Sequence, residues 1–197
     1  MSDTWSSLLA ASRPEIAVAG AASPAIQIDL QSLVIRERAD GATSCEITLN
    51  NWSASGGYLF ADSAVFDLGH QLRVTLGTAT LFSGAINRLG AGYRETGGHT
   101  LTVVAETKPV TRIRRRVAKS WSITLGQALR EAALDRAGGT MAGAAVAEVN
   151  GSLHVGDAVT LQAVLPRFAG TYTVTEVRHL FDLQAGLRTG FSVSRPA

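Results

Sequence analysis

From Ile26 onward the chain repeats one pattern: apolar residues at every second position, in short runs broken by turn residues. A period of two marks a strand that buries one face, because successive side chains on extended backbone point to opposite sides. "IQIDLQSLVIRE" places Ile26, Ile28 and Leu30 on one face and Gln27, Asp29 and Gln31 on the other, and the apolar set resumes at Leu33 and Ile35. "SCEITLNNW", "HQLRVTLG", "TLFSGAINRL" and "HTLTVVAE" read the same way. Between them, "ADGAT", "SASGG", "FDLGH", "LGTAT" and "TGG" carry the Gly, Asn and Asp favoured in tight turns. Five or six short strands at this spacing predict an antiparallel barrel or sandwich.

The period then changes. "TLGQALREAALDRAGG" has Thr124 and Gln127 placed as a capping box, apolar residues at Leu125, Ala128, Leu129 and Ala132, and Gly138 placed as a stop. This predicts one helix. "GGTMAGAAVAEVNG" is rich in small residues and reads as a linker running into a strand. Alternation returns in "HVGDAVTLQAV", "GTYTVTEVRHLF" and "RTGFSVSR". The expected fold is mainly β: two related barrel-like units, the second small or incomplete, with one connecting helix. The expected organisation is an N-terminal arm (1–22), a first barrel (23–108), a linker with the helix (109–142) and a second, incomplete barrel (143–197).

Hydrophobic residues make up 46% of the 197 positions and charged residues only 17%, a folded composition. The formal net charge of +2 gives no broad basic field, so a nucleic-acid site would need its cations gathered locally. They gather once, in "KPVTRIRRRVAKSW", which holds Arg112, Arg114, Arg115 and Arg116 ahead of Trp121. On a strand Arg112, Arg114 and Arg116 would share one face. Such a run serves as a solvated edge or as a contact for an acidic neighbouring surface, and the residues alone leave both open. A nucleic-acid-binding β-barrel is the alternative reading of the run, although aromatic residues for base stacking are missing around it.

Catalytic chemistry finds little support. Cys45 is the only cysteine and sits among alternating apolar residues, which reads as an inert core thiol and excludes a disulfide framework. His70, His99, His154 and His179 lie far apart, without metal-ligand spacing. "TEVRHLFD" brings Glu176, His179 and Asp182 close in sequence, but on a strand the two acids face away from His179 and no nucleophile accompanies them. Asp29, Glu37, Glu46, Asp62 and Asp67 are scattered over polar faces and turns, so a glycan-cleaving carboxylate pair is not visible. The N-terminus lacks the pattern of a signal peptide and no apolar run reaches membrane-spanning length, so the chain is read as made in the bacterial cytoplasm.

Two blocks resemble a known family. "FDLGHQLRVTLGTATLFSGAINRL" is similar to the first barrel of baseplate hub proteins from contractile phage tails and related injection systems, the late-control-D and VgrG-like family. The matching positions are Leu68, Gly69, Leu72 to Gly77, Leu81, Phe82, Gly84 and Ile86. The C-terminal block resembles the family's closing barrel at Gly151, Leu153, Gly156, Phe168, Gly170, Tyr172, Val174, Val177, His179, Phe181, Gly186, Thr189, Phe191 and Arg195. Family members commonly carry a further stretch before that barrel, and here it is missing.

The resemblance implies a non-enzymatic structural hub, without cofactor or metal, assembled into a phage tail, baseplate or injection particle. It implies a homotrimer whose two barrels per chain form a pseudo-sixfold ring. Its partners would be the tail tube protein, a spike or needle protein and other baseplate proteins. Membranes are not among them, and nucleic acid enters only as cargo passing the lumen. A tail-associated hydrolase is a third reading, and it lacks the acid pair or nucleophile it would need.

Overall fold

Extended backbone dominates the computed structural model, which describes residues 13–39, 43–60, 65–93, 98–107, 118–124, 129–137, 140–148, 150–162, 166 and 169–196, with backbone only at 124, 129–137 and 148. In chain order the elements are β1 (Glu15–Val18), β2 (Ala21–Ala22), α1 (Pro24–Asp29), β3 (Leu30–Arg38), β4 (Ser44–Asn50), β5 (Gln71–Leu76), β6 (Ala79–Gly92) and β7 (Thr100–Glu106). They continue with β8 (Ser120–Thr124), β9 (Leu129–Ala137), β10 (Thr140–Glu148), β11 (Ala158–Gln162), β12 (Gly170–Asp182) and β13 (Gly186–Pro196). The fold is mainly β with a single helix among the described residues.

The chain divides into two units. The first comprises Met1–Ile35, Thr43–Lys108 and Leu180–Leu187, and the second Arg36–Ala42, Pro109–His179 and Arg188–Ala197. In the first, the hydrogen-bonded order is β2-β1-β5-β6-β7-β4-β3. Alternation builds its interior: Cys45, Ile47 and Leu49 of β4 are buried, as are Leu72 and Val74 of β5, while Glu46, Gln71 and Arg73 are exposed. In the second unit the order is β8-β11-β12-β13-β10-β9. Ile123, Ala145, Leu161, Val174 and Val193, one from each of β8, β10, β11, β12 and β13, meet in one apolar cluster.

The two orders are one topology used twice. With β2 set aside, β1, β3, β4, β5, β6 and β7 occupy the places of β8, β9, β10, β11, β12 and β13. The likeness extends to single hydrogen bonds. Gly69 N–H donates to Ile86 O at 2.7 Å and Ile86 N–H to His70 O at 2.9 Å; Gly156 N–H donates to Val174 O at 2.8 Å and Val174 N–H to Asp157 O at 2.9 Å. Each glycine has a positive φ, +89° and +86°, a region that costs glycine nothing. Each turns the chain into a strand two residues later. The units differ at one pairing: β1 runs antiparallel to β5, whereas β8 runs parallel to β11.

Among the described residues both paths are open in their hydrogen bonds, yet in each the two end strands follow one another in the chain, so each path must curl. In the second unit only four residues separate β8 from β9, a reach of roughly 18 Å, whereas a flat six-stranded sheet holds its outer strands about 24 Å apart. In the first unit the six residues of α1, about 9 Å long, lie between the ends. Pro24 suits the first turn of that helix. Gln27 then ties it to β1, its amide donating to Pro14 O at 2.9 Å and accepting from Ile16 N–H at 2.6 Å in the orientation that satisfies both. A side chain thus supplies what a neighbouring strand would give the β1 edge.

Two sequence expectations are corrected. "IQID" is helix rather than strand: Ile26 is buried but Ile28 is 76% exposed, because the segment has to bridge the sheet ends. Of the helix expected from Thr124 to Gly138, Thr124 ends β8 and Leu129–Ala137 is strand β9, paired with β10 from Ala137↔Thr140 to Ala147↔Leu129, while 125–128 and 138 lie outside the described residues. Just two residues separate those strands, the spacing of a hairpin turn in which a Gly pair is favoured, and sheet pairing overrides local helix propensity. The strand into which "GGTMAGAAVAEVNG" is expected to run is β10, and it begins already at Thr140.

Candidate functional site

A surface cleft of the first unit arises where β4 and β7 pair. Asn50↔Thr100 is the last pair of that ladder, and Asn51 N–H continues it by donating to His99 O at 2.8 Å. Asn51 is buried, and its Oδ1 accepts from Leu59 N–H at 3.1 Å and Phe60 N–H at 2.8 Å, folding the Ser53–Phe60 loop back over the strand end. This places aromatic rings around His99: Trp52 at 4.6 Å and edge-on at 86°, Tyr58 at 5.5 Å and Tyr93 at 5.5 Å between ring centres. The edge-to-face contacts of Trp52 and Tyr93 suit the charge distribution of the rings, while Tyr58 is tilted at 37°. Beside them lies a cleft of about 360 Å³ lined by Asn51, Tyr58, Leu89, Tyr93, His99 and Leu101. Tyr93 is 71% exposed and Tyr58 46%, so both rings reach solvent at the cleft.

Sequence reasoning missed this cluster, since Trp52 and His99 are far apart in the chain. The signal that could have found it is register: aligning "EITLN" with "TLTVV" as neighbours brings the residues beyond both strand ends together.

In the second unit, the residues singled out by resemblance hold the fold together. Tyr172 is buried, and the Arg195 guanidinium lies over its ring at 4.5 Å. Gly170, at φ +135°, leaves room for that guanidinium, since a Cβ there would fall on Arg195 Nη1. His179 is 4% exposed, with Nδ1 3.1 Å from Thr189 Oγ1, and Thr189 Oγ1 accepts Asn150 N–H at 2.9 Å. Burial, and secondarily the charge of His154, push His179 down to about 4, against a smaller upward pull from Glu37. In the first unit Phe82 is buried with its ring laid against Gly84, where a Cβ would stand 2.5 Å from Glu106 O and 2.6 Å from that ring. Gly69 and Gly156 make the paired turns described above.

Of the expected partner-facing residues, Arg112, Arg114, Arg115 and Arg116 lie outside the described residues. Trp121 is half-buried against the second core, and its indole N–H donates to Asp157 Oδ2 at 3.0 Å. Glu176, His179 and Asp182 are not brought together. Glu176 turns outward to arginines, His179 inward, and Asp182 accepts Gln184 and Ala185 N–H in the β12–β13 turn. Cys45 is buried, and desolvation, with Glu46 beside it, raises its thiol far above the usual range. Among the described residues no group of His, Cys, Asp or Glu could hold a metal ion, and no helix is long and apolar enough to cross a membrane.

The 43 kDa tail protein of prophage MuSo2 from Shewanella oneidensis superposes with a TM-score of 0.70 at 9% identity, over 93% of this chain and 97% of that one. The chain shares its fold with phage tail proteins. A tail protein from Neisseria meningitidis MC58 gives 0.60 at 6% identity, over 92% and 96%. The E. coli c3393 protein, a type VI secretion component with structural similarity to the T4 bacteriophage tail proteins gp27 and gp5, gives 0.58 at 10% identity, over 93% and 77%. No family model and no curated protein matches the sequence.

Proposed function

We propose that the chain is a structural baseplate hub protein, joining the tail tube to the central spike of a phage tail or phage-like contractile injection system as a pseudo-sixfold trimer. The observation that carries this reading is the duplicated six-strand topology, in a fold shared with phage tail proteins over 93% of the chain. Three chains with two like units each offer six similar faces to a sixfold tube while keeping threefold symmetry toward a spike. The resemblance of the "FDLGHQLRV" and "VGDAVTL" blocks to hub proteins agrees, because those blocks form the two equivalent turns.

On this reading the work of the protein is binding, with no reaction assigned to it. Its interfaces use β edges and exposed aromatic and arginine side chains, and the particle rather than the cytoplasm is where it acts. The test is reconstitution with the tail tube and spike proteins of the same genome. Co-elution of all three supports the hub role, whereas failure to bind either protein contradicts it.

A further inference from the structure

The second unit carries a concentration of positive charge that the sequence does not advertise. Arg36 and Arg38 share one face of β3, and Glu176 and Arg178 one face of β12, the strand hydrogen-bonded to β3. All three guanidiniums converge on one carboxylate: Arg178 Nη2 donates to Glu176 Oε2 at 3.0 Å, and Arg36 Nε and Arg38 Nε lie 3.4 Å and 3.7 Å from Glu176 Oε1. Glu176 is the enclosed member, its side chain 16% exposed, while the arginines reach outward at 43%, 57% and 42%. Arg36 Nε is buried without hydrogen-bond geometry to any acceptor. Glu37 does not help to neutralise the group. It lies on the other face of β3, where its carboxylate takes His154 Nδ1 at 2.9 Å and Val155 N–H at 3.2 Å.

Among the described residues three cations therefore share one anion. Each guanidinium has five N–H donors, and one carboxylate offers about four acceptor sites for all of them. Holding like charges this close is unfavourable unless another anion joins them.

We propose that Arg36, Arg38 and Arg178 form a docking site for the Asp or Glu side chains of an acidic protein segment. The planar fork of arginine pairs bidentately with carboxylates, and Arg is enriched where proteins meet. A nucleic acid fits less well. Its affinity grows with the number of phosphates neutralised, and this compact group has two charges to spare. The aromatic rings a strand of bases would stack on are engaged elsewhere in the unit, Tyr172 with Arg195 and Trp121 with Asp157 and Lys119.

The probe is a fluorescently labelled octaglutamate peptide, titrated against the full chain at low and at physiological ionic strength. Replacing Arg36, Arg38 and Arg178 together by Gln weakens binding about tenfold, the sum expected from three exposed charge pairs. Glu176→Gln frees the arginines and tightens it by roughly threefold. Replacing Arg112, Arg114 and Arg116 leaves most of the affinity in place. Unchanged affinity in the triple variant, weaker binding by Glu176→Gln, or an oligothymidylate that binds more tightly than octaglutamate through the same arginines would overturn the proposal. Should the triple variant misfold, the rise or fall in Glu176→Gln decides alone.

Discussion

Arg195 lies over Tyr172, its guanidinium carbon 4.5 Å from the ring centre, and Arg195 Nη1 donates to Ala169 O at 2.9 Å. The pair fastens the last strand, β13, across the start of β12, and it exists because residue 170 has no side chain. Gly170→Ala would both strain a backbone at φ +135° and push against the held guanidinium. The expected loss is about 2 kcal/mol, read as a lower urea midpoint with an unchanged slope. Arg195→Ala removes both the cation–π contact and the hydrogen bond to Ala169 O, and costs a similar amount, about 2 kcal/mol.

Asp157 is fully buried, and its carboxylate accepts N–H groups from Lys119 at 2.9 Å, His154 at 3.1 Å and the Trp121 indole at 3.0 Å. It ties β8 to the turn before β11 and explains why a short strand so far along the chain finds its place. Asp157→Ala leaves three donors without an acceptor and should cost about 4 kcal/mol. Tryptophan fluorescence shifts to the red as Trp121 becomes wet. An unchanged spectrum and midpoint would refute this role.

His179 makes stability depend on pH. Its folded-state value, near 4, lies below the ordinary 6.5, so between these values the unfolded chain binds the proton more readily. The neutral-state contribution is fully present above pH 6.5 and is lost progressively as pH falls toward 4. Over that window the loss is on the order of 3 kcal/mol. His154 and Glu37 face His179 electrostatically, and both remain in the control. His179→Gln is expected to flatten the melting temperature between pH 6.5 and 4 relative to the parent; parallel pH profiles would contradict it.

Most strands were legible because their sequences alternate over a one-sided core: "SCEITLN", "QLRVTL" and "TLTVV" bury the expected faces. "ALREAALDRAGG" was not legible, since its Ala, Leu and Arg favour a helix locally and its strand state follows from pairing with β10. "IQID" failed the other way, alternating like a strand while serving as the short bridge between sheet ends. The aromatic group at His99 and the arginine group at Glu176 depend on register between distant strands, which spacing along the chain does not display. Gly170, Tyr172 and Arg195 were visible one by one, but their contact with each other was not.

A hub made from three two-unit chains fixes the native mass of the purified protein. Light scattering after size exclusion at micromolar concentration should give three copies of the 20.6 kDa chain, about 62 kDa. A well-folded species of 20.6 kDa, unchanged on concentration, would contradict it.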